Sequence, residues 1–141
     1  MGLKRWTSLD GGSGNFNTDA AGTVKGGTAL QTNLVAKGSL SCLFVVDAET
    51  NTLTLEHKWQ VSNDNSTWYD FPPENNAAVV VLATGTAGAD AAVSKAIAAP
   101  RGIEGWKYVR ACVVNGVTTG NTADTYAMTY RYLKYSAFDK G

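Results

Sequence analysis

The sequence predicts an all-β fold: a single antiparallel β-sandwich, jelly-roll-like with an immunoglobulin-like sandwich as the alternative, carrying an extended glycine-rich N-terminal arm. Three observations predict it. Residues 53–61 alternate apolar and polar side chains with a period of two, as a half-buried strand does. About seven apolar or β-branched segments recur at short spacing, punctuated by Gly, Pro, Asn and Ser, which is the rhythm of a sandwich. A length of 141 residues suits one hydrophobic core. The expected division is an arm over 1–38 and a sandwich domain over 39–141.

The arm is read from composition. Residues 1–38 hold eight of the fifteen glycines with many Thr, Asn and Ser, too little apolar material to order a long segment alone. Trp6, Phe16 and Leu30 are nonetheless costly to leave in water. They dock either on this domain or on a neighbour, and are candidate protein-interface residues.

Strands follow from residue 39. Residues 39–46 run apolar and β-branched, and Leu53, Leu55, His57, Trp59 and Val61 form the inward side of the next strand. The turn formers at 62–66 return the chain as a partner strand over 67–71, which Pro72 and Pro73 end because neither donates a ladder hydrogen bond. A short strand is expected over 77–83. Residues 90–99 carry both a helical and an alternating signal, and the β context on either side favours strand. Long strands are expected over 106–114, with Trp106 and Cys112 in the core, and over 126–135.

Charge and composition narrow the function classes. Twelve basic and twelve acidic residues cancel, so no net field draws the chain to nucleic acid or to an anionic membrane. No stretch approaches the ~20 apolar residues of a membrane span, and residues 1–9 lack a secretory apolar run, so a soluble, unprocessed protein is expected. Charged residues make up 17% against a typical ~25%, which fits a surface covered by partners. Cys42 and Cys112 lie in apolar runs without C-x-x-C spacing and are expected as reduced core thiols.

A reactive centre is not expected. His57 is the single histidine and sits between Leu55 and Trp59, a packing position, so neither a metal cluster nor a proton relay can be assembled around a second one. There is no G-x-S-x-G elbow, and the glycines at 11, 12 and 14 do not form a phosphate loop. Asp64 between Asn63 and Asn65 reads as turn chemistry rather than a calcium loop. No enzyme activity, cofactor or metal is expected. The aromatics carry more information: Trp59, Trp68, Tyr69 and Trp106 could make a sugar-stacking platform, although Trp59 and Trp106 suit the core. Tyr126, Tyr130, Tyr132 and Tyr135 crowd the last strand, where core and interface roles are both open.

Three stretches, WQVSNDNSTWYD over 59–70, GWKYVRACVVN over 105–115 and DTYAMTYRY over 124–132, resemble small β-sandwich proteins of tailed-phage structural genes. In size and in its glycine-rich end the chain is similar to the jelly-roll cement, or decoration, proteins of short-tailed phages. The resemblance implies a structural virion protein on the capsid exterior, assembled in the host cytoplasm. It implies two partners, the major capsid protein lattice that it bridges and further copies of itself as a homodimer or homotrimer. Trp6, Phe16 and Leu30 in the arm and Tyr130, Tyr132 and Tyr135 in the last strand are the expected contacts. The alternatives are a carbohydrate-binding sandwich with Trp68 and Tyr69 as its platform, and a head-completion or tail protein.

Overall fold

The computed structural model describes residues 4–16, 19–20, 22–34, 39–48, 54–71, 80–84, 91–116 and 124–135. Its strands are β1 (Lys4–Asn15), β2 (Val24–Gly26), β3 (Leu30–Gln31), β4 (Leu40–Ala48), β5 (Thr54–Ser62), β6 (Tyr69–Phe71), β7 (Val80–Thr84), β8 (Ala91–Ala98), β9 (Tyr108–Asn115) and β10 (Thr125–Tyr135). They form two antiparallel sheets. The first runs β1-β10-β4-β8 and the second β2-β9-β5-β6, with β3 also on β9 and β7 also on β5.

The pairings are nested. β1 lies on β10, β2 and β3 on β9, β4 on β8, and β5 on β6 and β7, so one long hairpin has been rolled until its rungs alternate between two sheets. That order is a jelly roll. An immunoglobulin-like sandwich places its first and last strands in different sheets, whereas here they are hydrogen-bonded neighbours.

Alternation along each strand fills the space between the sheets. Leu40, Cys42, Phe44 and Val46 of β4 and Met128, Tyr130 and Tyr132 of β10 face Leu55, His57, Trp59 and Val61 of β5 and Val109, Ala111 and Val113 of β9. All are buried. The ambiguous 90–99 segment is strand β8, held by eight residue pairs with β4, which outweigh the weak helical preference of its alanines. Residues 77–79 and Leu53 lie outside the described residues.

The expected arm is corrected by the structure. Most of its described residues are strand or core: β1 borders the first sheet, β2 and β3 border the second, and Phe16 and Leu30 are buried. Each of those two side chains contributes ~1.5–3 kcal/mol by leaving water, and β10 and β9 supply the ladder that the local sequence cannot specify. The glycines serve this placement. The β1 register slips between Asp10 and Gly12, where Gly12 has φ +110° and donates to the Asp10 carboxylate at 2.9 Å, a bulge that a side chain would strain.

One phenol completes the second sheet. Gly27 N–H still donates to Ala111 C=O of β9 at 2.8 Å, but the chain then leaves β9 until Leu30, and there Ala111 N–H donates to the Tyr130 hydroxyl at 2.8 Å, which in turn donates to Thr28 C=O at 2.8 Å. The β10 side chain thus reaches across the core and takes the place of a missing strand partner. Gly27 fits beside it because a Cβ there would come within 2.8 Å of Gly11 O.

Candidate functional site

No reactive centre is assembled among the described residues. His57 is buried against Phe44, ring centroids 5.2 Å apart, and neither of its nitrogens has a hydrogen-bond partner among those residues. Burial, and then the Lys95 charge, hold its pKa down at about 4, so it is neutral at physiological pH. Cys42 and Cys112 are buried, unpaired thiols pushed up to about 12 and about 11 by desolvation. No group of three His, Cys, Asp or Glu that could hold a metal occurs among the described residues.

The outer face of the first sheet is the first candidate surface. Odd positions of β4 and β10 and even positions of β8 point outward, so neighbouring rows read Arg131-Ser41-Ala98, Thr129-Leu43-Ala96 and Ala127-Val45-Ser94. Leu43 and Val45 are 41% and 45% exposed there, and a shallow recess of about 350 Å³ lies beside Val45, Ser94 and Ala127. Among the described side chains of this face the charged ones are Arg131, Asp47 and, on β1 beside Thr129, Asp10. Trp6 of β1 extends the face, 55% exposed with the Arg131 guanidinium 5.2 Å from its ring centroid.

The outer face of the second sheet is different in kind. Arg110 donates twice to the Gln60 carbonyl, at 2.9 and 2.8 Å, while Gln60 and Lys58 both reach Asp70. The Arg110 guanidinium also lies 4.3 Å from the Trp68 ring centroid. These groups satisfy one another. One face of the Trp68 ring is therefore occupied by a side chain of the second sheet.

A cleft at one end of the sandwich is the second candidate surface. The 62–67 turn is tied by Asp64, whose carboxylate accepts from Ser66 N–H at 2.9 Å and Thr67 N–H at 2.7 Å and from the Ser62 hydroxyl at 2.9 Å. Those bonds, led by the one from Thr67, hold the Asp64 carboxyl down at about 2. Trp106 stands beside this turn, half-buried on the edge of the core, with Tyr69 packed at 5.7 Å between ring centroids.

The sequence-derived interface residues are thus dispersed. Phe16, Leu30, Tyr130 and Tyr132 are inside this chain's own core: Leu30, Tyr130 and Tyr132 extend from the inward sides of β3 and β10, and Phe16 follows directly on β1. As contacts with a neighbour they are corrected; of the five whose side chains are described, Trp6 is the one that is exposed. Tyr135 pairs through its backbone with Lys4, and its side chain lies outside the description. Of the expected core, Leu55, His57, Trp59, Val61 and Cys112 are buried, and Trp106 is only partly so. Leu43, Val45 and Ala96 carry no surface signal in the sequence: an unbroken apolar run reads as buried on both sides, and only the lack of a covering layer among the described residues shows otherwise.

Comparison with solved structures is consistent with this architecture. The chain is similar to a chain of the infectious bursal disease virus VP2 subviral particle, with a TM-score of 0.53 at 12% identity over 97% of this chain and 34% of that one. A chain in the structure of the infectious bursal disease virus Gx strain gives 0.51 at 14% identity, over 96% and 33%. The likeness is one of fold, and this chain spans about a third of the length of those chains. No protein-family model matches the sequence, and no curated protein matches it.

Proposed function

We propose that this chain is a structural virion protein, a cement or decoration protein that binds the outer surface of a tailed-phage major capsid protein lattice and bridges neighbouring subunits. The observation that carries the reading is the outward face of the first sheet, where Leu43, Val45, Ala96 and Trp6 stand exposed on a rigid scaffold. Scattered apolar residues need no explanation, but contiguous rows of them favour a protein neighbour. The shared fold with a chain of a VP2 subviral particle adds support.

Cementing requires no bond chemistry. It requires a contact area, ~800 Å² per partner for a standard interface, repeated by symmetry so that modest affinities combine. Self-association as a homodimer or homotrimer would set that repeat, with Trp6 and Tyr135 at the β1–β10 edge as contacts.

Shells stripped of the protein provide the test. Leu43→Glu and Val45→Glu change only outward positions and fold normally, and each lowers shell occupancy by on the order of tenfold in co-sedimentation. Undiminished occupancy in both would remove the reading, and binding to isolated necks or tails in place of shells would move it to the head-completion or tail alternative.

A further inference from the structure

The cleft at the end of the sandwich has a chemistry unlike that of the apolar sheet face. Two recesses adjoin there, one of about 520 Å³ lined in part by Gln31, Asn33, Asn63, Trp106 and Tyr108, the other of about 290 Å³ lined in part by Asn63, Thr67, Tyr69 and Trp106. Asn63 and Trp106 belong to both, so one wall serves the two. The larger lies within the ~300–1,000 Å³ usual for small-ligand sites and the smaller just below it.

The lining combines flat aromatic rings with side-chain amides. Tyr69 is 53% exposed, and its ring is inclined at 41° to that of Trp106. Gln31, Asn33 and Asn63 are all exposed around the two rings. A pyranose presents the complement: a patch of C–H groups that lies against an aromatic face, ringed by hydroxyls that both donate and accept, as planar amides do.

The wall is also fixed in advance. Thr32 N–H donates to Lys107 C=O at 2.9 Å and the Thr32 hydroxyl donates to Trp106 C=O, which joins the turn after β3 to the 103–107 segment. Lys107 N–H donates to the Asn63 carboxamide oxygen at 3.2 Å, which orients that amide and leaves its NH₂ as a donor. A site held this way loses little conformational entropy on binding. Charge at the rim is mixed, with Lys107 among Glu104 and Asp64, so neither an anion nor a cation is preferred.

We propose that this cleft binds a neutral oligosaccharide, with one hexopyranose ring against the Tyr69–Trp106 wall and the next unit reaching Gln31 and Asn33. The site is independent of the capsid-binding face. Trp68 lines neither recess, and the Arg110 guanidinium lies 4.3 Å from its ring centroid.

The experiment applies the full-length protein to an array of neutral glucose, galactose, mannose and N-acetylglucosamine oligosaccharides, then titrates the strongest of them while recording amide chemical shifts. Saturable binding is expected, with shifts confined to residues 31–33, 63–69 and 104–108. Tyr69→Ala, at an exposed position that leaves the fold intact, weakens it on the order of tenfold, and Trp68→Ala leaves it within about twofold. The proposal is overturned if no array sugar binds above the Tyr69→Ala background, or if Trp68→Ala abolishes binding while Tyr69→Ala does not.

Discussion

Replacing Tyr130 by Phe removes a single oxygen from the interior and leaves the ring volume unchanged. The lost atom accepts from Ala111 N–H and donates to Thr28 C=O, each at 2.8 Å, at the gap between β2 and β3. Ala111 is fully buried, so its N–H is left without a partner and without water. An unsatisfied buried donor costs ~1–3 kcal/mol and the second bond contributes ~0.5–1.5, which together predict a loss of about 1.5–4.5 kcal/mol. At about 4 °C per kcal/mol for a domain of this size, the melting temperature falls by about 6–18 °C. Urea unfolding followed by tryptophan fluorescence gives the free energy directly, and an unchanged m-value shows that the native state is intact. Tyr126→Phe, at the half-buried end of the same strand, serves as control and stays within about 0.5 kcal/mol. If Tyr130→Phe is as mild as its control, the phenol does not replace a strand partner and the account of this sheet edge is wrong.

Three further outcomes are expected. Gly27→Ala sets a Cβ 2.8 Å from the backbone oxygen of Gly11, which no rotamer change can relieve, and costs about 2–3 kcal/mol in the same urea assay. His57 has a folded pKa near 4 against an ordinary 6.5, so the unfolded chain takes up the proton first as pH falls; the stability is complete above pH 6.5 and declines by about 3 kcal/mol towards pH 4, and in His57→Leu this segment of the stability-against-pH curve is flat. The Cys42 and Cys112 thiols, buried and raised to about 12 and about 11, give no colour with a disulfide reagent at pH 8 in the native protein and two equivalents in guanidinium; rapid native reaction would contradict their placement.

Much of the sandwich can be read from residue 39 onward because its signals are local. The alternation from Leu55 to Val61 requires only that one face be buried, and β5 spans Thr54–Ser62 accordingly. The turn after it is written in Ser62 and Asp64, whose side chains accept from backbone N–H groups within the turn. The first 38 residues defeat the same reasoning. β1 is ordered by its pairing with β10, more than a hundred residues away, and no local pattern records that partner. Its glycines suit a linker and a bulge equally well in composition, and only the register slip at Gly12 separates the two. Tyr130 illustrates a second limit: a tyrosine on a crowded strand satisfies the same pattern whether its hydroxyl meets a partner protein or an orphan N–H of its own chain. The cleft was only half visible, since Tyr69, Trp106 and the 62–66 turn stand out in the sequence whereas Gln31 and Asn33 reach it from β3 and the turn that follows.

The pairing of Lys4 with Tyr135 has a mechanical consequence. Tension applied between those two residues would act at one extremity of the β1–β10 ribbon and part its rungs in succession, as a zip opens, so little force is needed. A load spread over the broad side of the sheet meets all the rungs together. A clamp made of this fold is therefore strong when gripped by its flank and weak when pulled by its ends.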